Sequence, residues 1–332
     1  MEENVLAINN LSIYFKHIRT STYDNRDLEV VHCLNFDVHK SEIFGIVGES
    51  GCGKSITAYS IMGILPGNAY FNGDILFNDV NFKTLNDEQM RKLRGDRLSM
   101  IFQEPMTSLN PVLTIGYQLA EVLITHRGLN KYEAQEKAAE LLKAVKIPSA
   151  RQRLRDYPHQ LSGGMRQRVM IAMAIACNPS LLIADEPTTA LDVTIQKEIL
   201  NLLLKIRQEQ NMSIILITHD LGIISLYTDR VAVMYAGRIM EKADTSELFK
   251  NPRHPYTIGL LNSLPKDKNI PLRPIKGVVP KPENLPEGCK FSDRCDFTID
   301  ECKSIEPELS LLNKEHHIRC IRAREDLWKM TI

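Results

Sequence analysis

The 332 residues suffice for one large domain and a smaller one, and a 43% apolar, 25% charged composition is that of an ordinary globular protein. With 41 Lys+Arg against 41 Asp+Glu the chain is neutral, which gives no reason to expect general affinity for nucleic acid or anionic membrane. The start, MEENVLAINN, has neither the basic flank nor the apolar core of a secretory signal. The longest apolar run, 169–177, is far short of the roughly 20 residues that a spanning helix needs. A soluble, cytoplasmic chain is the expectation, with any membrane spanning left to another chain. The odd cysteine count, seven, argues against a disulfide framework.

In chain order, EIFGIVG (42–48) is a short apolar run closing on glycine, and KSITAYSIMGIL has helical spacing. The pair predicts strand, loop, helix. The loop GESGCGKS (48–55) fits G-x-x-x-x-G-K-[ST]. Gly48, Gly51 and Gly53 let the backbone curl, so that N–H groups from Ser50 to Ile56 surround phosphate oxygens at a positive helix end. Lys54 would reach the β- and γ-phosphates, and Ser55 would ligate Mg²⁺.

KYEAQEKAAELLKAV (131–145) predicts an amphipathic helix. In LSGGMRQRVMIAMAIACNP (161–179), Ser162 is placed to cap a helix that opens on Gly163 and Gly164. The exposed N–H groups there make a second anion site. One chain then carries two half-sites for one nucleotide, which a head-to-tail dimer would bring into use.

LLIADEP (181–187) is a buried strand ending in two acids. Asp185 is placed to hold Mg²⁺, and Glu186 to polarise the attacking water beside the γ-phosphate. TIQKEILNLLLKIRQEQ (194–210) predicts a helix, SIILITH (213–219) a strand, and VAVMYAGRIMEKAD (231–244) a hairpin turning at Ala236-Gly237. Strands alternating with helices imply an α/β core.

After about 250 the texture becomes proline-rich and weakly periodic, which puts a domain boundary near 245–265. The tail holds four of the seven thiols, spaced Cys289-x5-Cys295-x6-Cys302-x17-Cys320. Four thiolates suit zinc or an iron–sulfur cluster. Neither a tight zinc knuckle nor the ferredoxin spacing is present, so spacing says metal site without choosing the metal. His316 and His317 beside it are candidate ligands, but they read more simply as two exposed histidines. A small tail with little core would gain a crosslink from a metal.

These motifs stand in the order of a known family. The chain resembles the ATP-binding subunits of ABC transporters over roughly residues 5–245. The resemblance rests on the Walker A loop 48–55, Gln103 in IFQEP, the LSGGMRQR signature, the Walker B acids, the D-loop TTALD (188–192) and His219 in THD. It implies a RecA-like P-loop core with an antiparallel β subdomain and a helical signature subdomain at about 104–178. The ATP-binding domain would be 1–250, and 251–332 a small irregular metal-binding extension.

It further implies that Gln103 senses Mg²⁺ and the attacking water and couples to membrane subunits. Asp192 would lie at the dimer seam, and His219 would contact the γ-phosphate. Two departures stand out. Met165 replaces the usual glutamine after the signature glycines, and 17–30 carries an insertion where the family stacks adenine on an aromatic. Tyr23 is the candidate there, with Phe15 as alternative.

The stretches 104–123 and 251–265, the latter with its HPYT, look like the dipeptide/oligopeptide importer branch, parts of which nickel and other small-solute importers share. Membership there implies ATP and Mg²⁺ and a peripheral place at the cytoplasmic face of the cell membrane. The implied partners are a paralogous ATPase, two permeases and an extracytoplasmic solute-binding protein, with no nucleic acid. It also implies a [4Fe–4S] cluster on Cys289, Cys295, Cys302 and Cys320. The competing readings are a soluble ABC-type ATPase acting on nucleic acid or ribosomes, and an iron–sulfur redox protein. The neutral charge, the lack of a basic–aromatic tract and the lack of any second redox motif speak against these.

Overall fold

The computed structural model describes residues 3–16, 27–104, 108–189, 191–263 and 274–325. The chain divides into two compact units. One comprises Met1–Val5, Val38–Glu42 and Val80–Leu216, and the other Leu6–Asp37, Ile43–Asp79 and Ile217–Ile332.

In the first unit, strands Leu98–Ile101 and Leu181–Asp185 pair in parallel, from Leu98↔Leu181 to Ile101↔Ala184. Ser213–Thr218, which belongs to this unit up to Leu216, lies on the other side of Leu181–Asp185. Every residue of the three strands is buried. That explains their continuous apolar runs, since a strand covered on both faces has no solvent side on which to alternate.

Helices Ile115–Arg127, Lys131–Ala144, Gly163–Ile175 and Val193–Gln210 complete this unit. Their ends are set locally. Asn130 and Glu133 form a reciprocal capping box, and Gly128 and Asn211 end their helices in the left-handed conformation. Gln118, nearly inaccessible, orders the loop before its helix. Its amide donates to the carbonyls of Asn110 and Leu113 and accepts from the Asn110 N–H.

In the second unit, five strands run in the order Ser310–Asn313, His316–Ile318, Arg238–Asp244, Arg230–Tyr235, Ile43–Val47. Ile43–Val47 pairs in parallel with Arg230–Tyr235, and the other three pairings are antiparallel. The hairpin turns where expected, with Ala236 at φ 45° and Gly237 at φ 77°, the left-handed pair a two-residue turn requires. A separate antiparallel layer pairs Asn4–Phe15 with Ala69–Phe77 and sets Leu28–His39 on its other side.

The C-terminal extension is built onto this unit. His316–Ile318 pairs along Arg238–Asp244, with Glu241 opposite Ile318 and Lys242 opposite His317. Phe291, Cys289 and Cys302 join Val47, Val231, Val233, Tyr235 and Tyr256 in one buried cluster. Among the described residues no helix is long and apolar enough to cross a membrane.

Candidate functional site: a phosphate loop, an acidic strand end and a four-thiol cavity

Ile43–Val47 delivers the chain into the loop 48–55, and helix Lys54–Met62 receives it. The curl depends on glycine in two ways. Gly51 and Gly53 stand at φ 79° and 103°, which side chains rarely adopt. At Gly48 the constraint is space, because a Cβ would lie 2.1 Å from the Met234 carbonyl oxygen. Lys54 is buried, and its ammonium donates to the carbonyls of Gly48 (2.8 Å) and Glu49 (3.0 Å). The Gly237 N–H donates to the Cys52 carbonyl at 2.9 Å, tying the loop to the hairpin turn. Ser50 and Gly51 are exposed, while Ser55 and Ile56 are half-buried at the helix start.

The acidic pair stands in the first unit. Asp185 is fully buried at the end of its strand. Glu186 follows in the left-handed region at φ 46°, a costly conformation without glycine and one typical of functional sites. Its Oε2 accepts from Gln103 Nε2 at 3.0 Å and from the Thr189 hydroxyl at 2.8 Å. The structure thus brings two of the expected residues, 83 positions apart, into direct contact.

Ser162 caps as its sequence position predicts, accepting from the Met165 N–H at 3.4 Å. Asp192 caps Val193–Gln210 by accepting from the Ile195 N–H at 3.0 Å. The two starts are neighbours, since a Cβ on Gly164 would lie 3.1 Å from Ile195 Cγ2. Buried Arg168 holds the signature helix in place, donating to the Val145 carbonyl (3.0 Å) and the Glu198 carboxylate (2.6 Å). His219 lies in the second unit, exposed, just before Asp220 caps helix Leu221–Tyr227. Phe15 is half-buried at the end of its strand, and Tyr23 lies outside the described residues.

The four tail thiols line one cavity with Phe291, Phe297 and Ile321. Burial pushes the Cys289 thiol up to about 11 and Cys320 up to about 12, and raises Cys295 as well. The neighbouring thiols add to each shift, which favours the protonated thiol. Among the described residues no three His, Cys, Asp or Glu side chains gather as a single metal ion would require. A zinc ion would draw four sulfurs to about 2.3 Å. A cluster would meet each thiolate with a different iron and so would not require the four sulfurs to converge on a point; the cavity also presents His254, Ser292, Thr298 and Arg322. The Phe297 N–H, 3.4 Å from Cys295 Sγ, is the kind of donor that tunes a ligated thiolate.

One expectation is corrected. His316 is 2% exposed, and its Nε2 stands 2.7 Å from Oε1 of Glu241, which is wholly buried. A buried carboxylate needs donors, and the N–H groups of Arg253 and His254 supply two more. The pattern of the tail could not reveal this, because the partner is 75 residues upstream. Sequence reasoning also missed Tyr256 and Arg294, which both reach Glu49 of the phosphate loop. The only signals available were the HPYT segment and an arginine beside a cysteine.

Comparison with known proteins agrees with these features. The family model described as "ABC transporter" matches residues 31–189, and that described as "Oligopeptide/dipeptide transporter, C-terminal region" matches 240–302. The chain is 49% identical to the oligopeptide transport ATP-binding protein AppD of Bacillus subtilis, covering 97% of this chain and 98% of that one. It is 48% identical to the oligopeptide transport ATP-binding protein OppD of Salmonella typhimurium, covering 97% and 95%. Among solved structures it resembles the ATP-binding cassette MJ0796 in a dimeric post-hydrolysis state bound to ADP and phosphate. The TM-score is 0.63 at 27% identity, over 72% of this chain and 98% of that one.

Proposed function

Since the chain belongs to the ATP-binding subunits of ABC transporters of the oligopeptide/dipeptide importer type, we infer that it powers peptide import by ATP hydrolysis. It is an ATPase coupled to transport. The observation that carries the substrate class is the presence, in one chain, of the ATP-binding match at 31–189 and the oligopeptide/dipeptide-type region at 240–302.

The division of labour follows from residue chemistry. Lys54 and the N–H groups of 48–56 bind the phosphates, helped by the helix end behind them. The hydroxyl of Ser55, the carboxylate of Asp185 and the amide of Gln103 are hard oxygen donors suited to Mg²⁺. Glu186 polarises the attacking water, and the donors Gln103 and Thr189 fix its carboxylate. His219 contacts the γ-phosphate. Ser162, Gly163 and Gly164 form the second half-site, presented to the ATP of a partner, with Asp192 at the seam. A head-to-tail pair with a paralogous ATPase, closing on two ATP molecules, drives two permeases fed by a solute-binding protein. The adenine would stack on Tyr23 or Phe15. In this reading 1–250 is the ATP-binding domain, with helical subdomain 104–178, and 251–332 its extension.

Cys289, Cys295, Cys302 and Cys320 would hold a [4Fe–4S] cluster, which supplies a crosslink for a tail of short elements. Support comes from the single cavity the four thiols share. Anaerobic purification with iron, sulfide and zinc assays tests this, and one zinc per chain with no sulfide would overturn the cluster.

The test of the whole reading is Glu186→Gln in the assembled importer in vesicles. Peptide uptake and hydrolysis should fall by about 10²–10⁴-fold, as for loss of a general base, while ATP binding persists. Unimpaired turnover would remove Glu186 from its role, and failure to co-purify with permeases would remove the transport assignment.

A further inference from the structure

Two side chains of the C-terminal extension end on the phosphate loop. Arg294 forks the Glu49 carboxylate, Nη1 to Oε2 at 2.6 Å and Nη2 to Oε1 at 3.0 Å. The arginine side chain is 6% exposed and the glutamate 31%. Its remaining donors are also fixed, Nε by the Lys276 carbonyl (2.7 Å) and Nη2 by that of Gly277 (3.2 Å). The guanidinium sits 5.6 Å from the centroid of the Tyr235 ring. Tyr256, wholly buried, accepts the Glu49 N–H on its hydroxyl oxygen at 3.1 Å. Its ring packs against Tyr235 at 4.8 Å and Phe291 at 5.3 Å.

Glu49 is therefore held at three points: carboxylate by Arg294, N–H by Tyr256 and carbonyl by Lys54. A bidentate pair with one partner buried is unlike a loose surface ion pair, because moving Glu49 would leave a buried guanidinium unmatched. The phosphate-loop motif leaves this position open, so a glutamate here answers to the extension and not to the motif.

We propose that Arg294 and Tyr256 are positioning residues for ATP binding, which through Glu49 hold the phosphate loop in the curve that presents Lys54 and its N–H groups. The proposal rests on the reading of 48–55 as the ATP cradle. It makes the extension part of the nucleotide site, and it links that site to the thiol cavity, since Arg294 adjoins Cys295 and Phe291 lines the cavity.

The test is Mg-ATP affinity of the full-length chain, purified anaerobically, alongside its melting temperature. Arg294→Met and Glu49→Gln should each weaken ATP binding about tenfold, within the usual range for coupled sites. The double variant should be no weaker than the worse single, because both substitutions break one link. Arg294→Lys keeps the charge without the fork and should fall between wild type and Arg294→Met. A lowered melting temperature with unchanged ATP affinity in Arg294→Met would reduce Arg294 to a structural residue and overturn the proposal. If Arg294→Met fails to fold, Glu49→Gln carries the test alone, and undiminished affinity there sinks it equally. Absence of ATP binding by the wild-type chain would instead refute the cradle reading on which the proposal stands.

Discussion

The phosphate loop and the C-terminal extension both hold irregular backbone in a fixed curve, and they do so by opposite means. The loop's own devices are mostly main chain: three glycines, carbonyls turned onto Lys54, and the Gly237 N–H, with the Arg294 and Tyr256 contacts to Glu49 added from the extension. The extension relies on side chains: the Arg294 fork, the packed rings of Tyr235, Tyr256 and Phe291, and the carboxylate of Glu306 shared by Arg238 and Lys290. A main-chain device demands glycine at fixed spacing and is hence visible as a motif. A side-chain device depends on partners far along the chain, and no local pattern announces it.

Each region can be broken in a way that sharpens the contrast. The largest effect is expected of Lys54→Ala. Removing a charge-assisted donor of about 3 kcal/mol should cost roughly 100-fold in ATP affinity. Calorimetric titration of the full chain measures it, and retained affinity would mean that the backbone alone carries phosphate binding. Gly288→Ala probes a place where the extension depends on glycine as the loop does. A Cβ there would lie 2.3 Å from the Cys302 carbonyl oxygen, and the neighbouring Cys289 N–H donates to that oxygen at 2.8 Å. Overpacking of this kind costs about 1–3 kcal/mol. The melting temperature should fall, while a variant equal to wild type would show that the extension yields where the loop does not.

The smallest effect concerns acid. Burial lowers His254 to about 4, although the Glu241 carboxylate opposes the shift and the Arg319 guanidinium adds to it. Its Nδ1 accepts the Tyr256 N–H at 3.0 Å, a cap that needs the neutral ring. The folded pKa is depressed below the unfolded value near 6.5, so the unfolded chain binds the extra proton between pH 6.5 and about 4. Stability should therefore fall as the pH drops through that window. His254→Asn retains a capping acceptor and should flatten the slope in urea titrations at successive pH values. An unchanged slope would place the acid sensitivity elsewhere.

Much of the first unit was legible, because its strands are uniformly buried and its helices carry their own caps. Ser162, Asp192 and the turn at Ala236-Gly237 behave as their local sequence dictates. The strain at Glu186 was not legible, since no residue type at that position signals a left-handed backbone; only the fold imposes it. Neither was the burial of His316, whose neighbours in sequence are polar and whose partner is a strand away. The thiols were legible as a group, but their shared cavity depends on Phe291 and Phe297, which carry no periodic signal.

The pairing of His316–Ile318 along Arg238–Asp244 has a consequence for synthesis. Glu241 emerges 75 residues before the histidine that covers it. At translation rates of 5–20 residues per second, roughly 4–15 seconds pass with that strand's edge bare. During that interval the nascent sheet offers an unpaired row of backbone groups to any other extended segment.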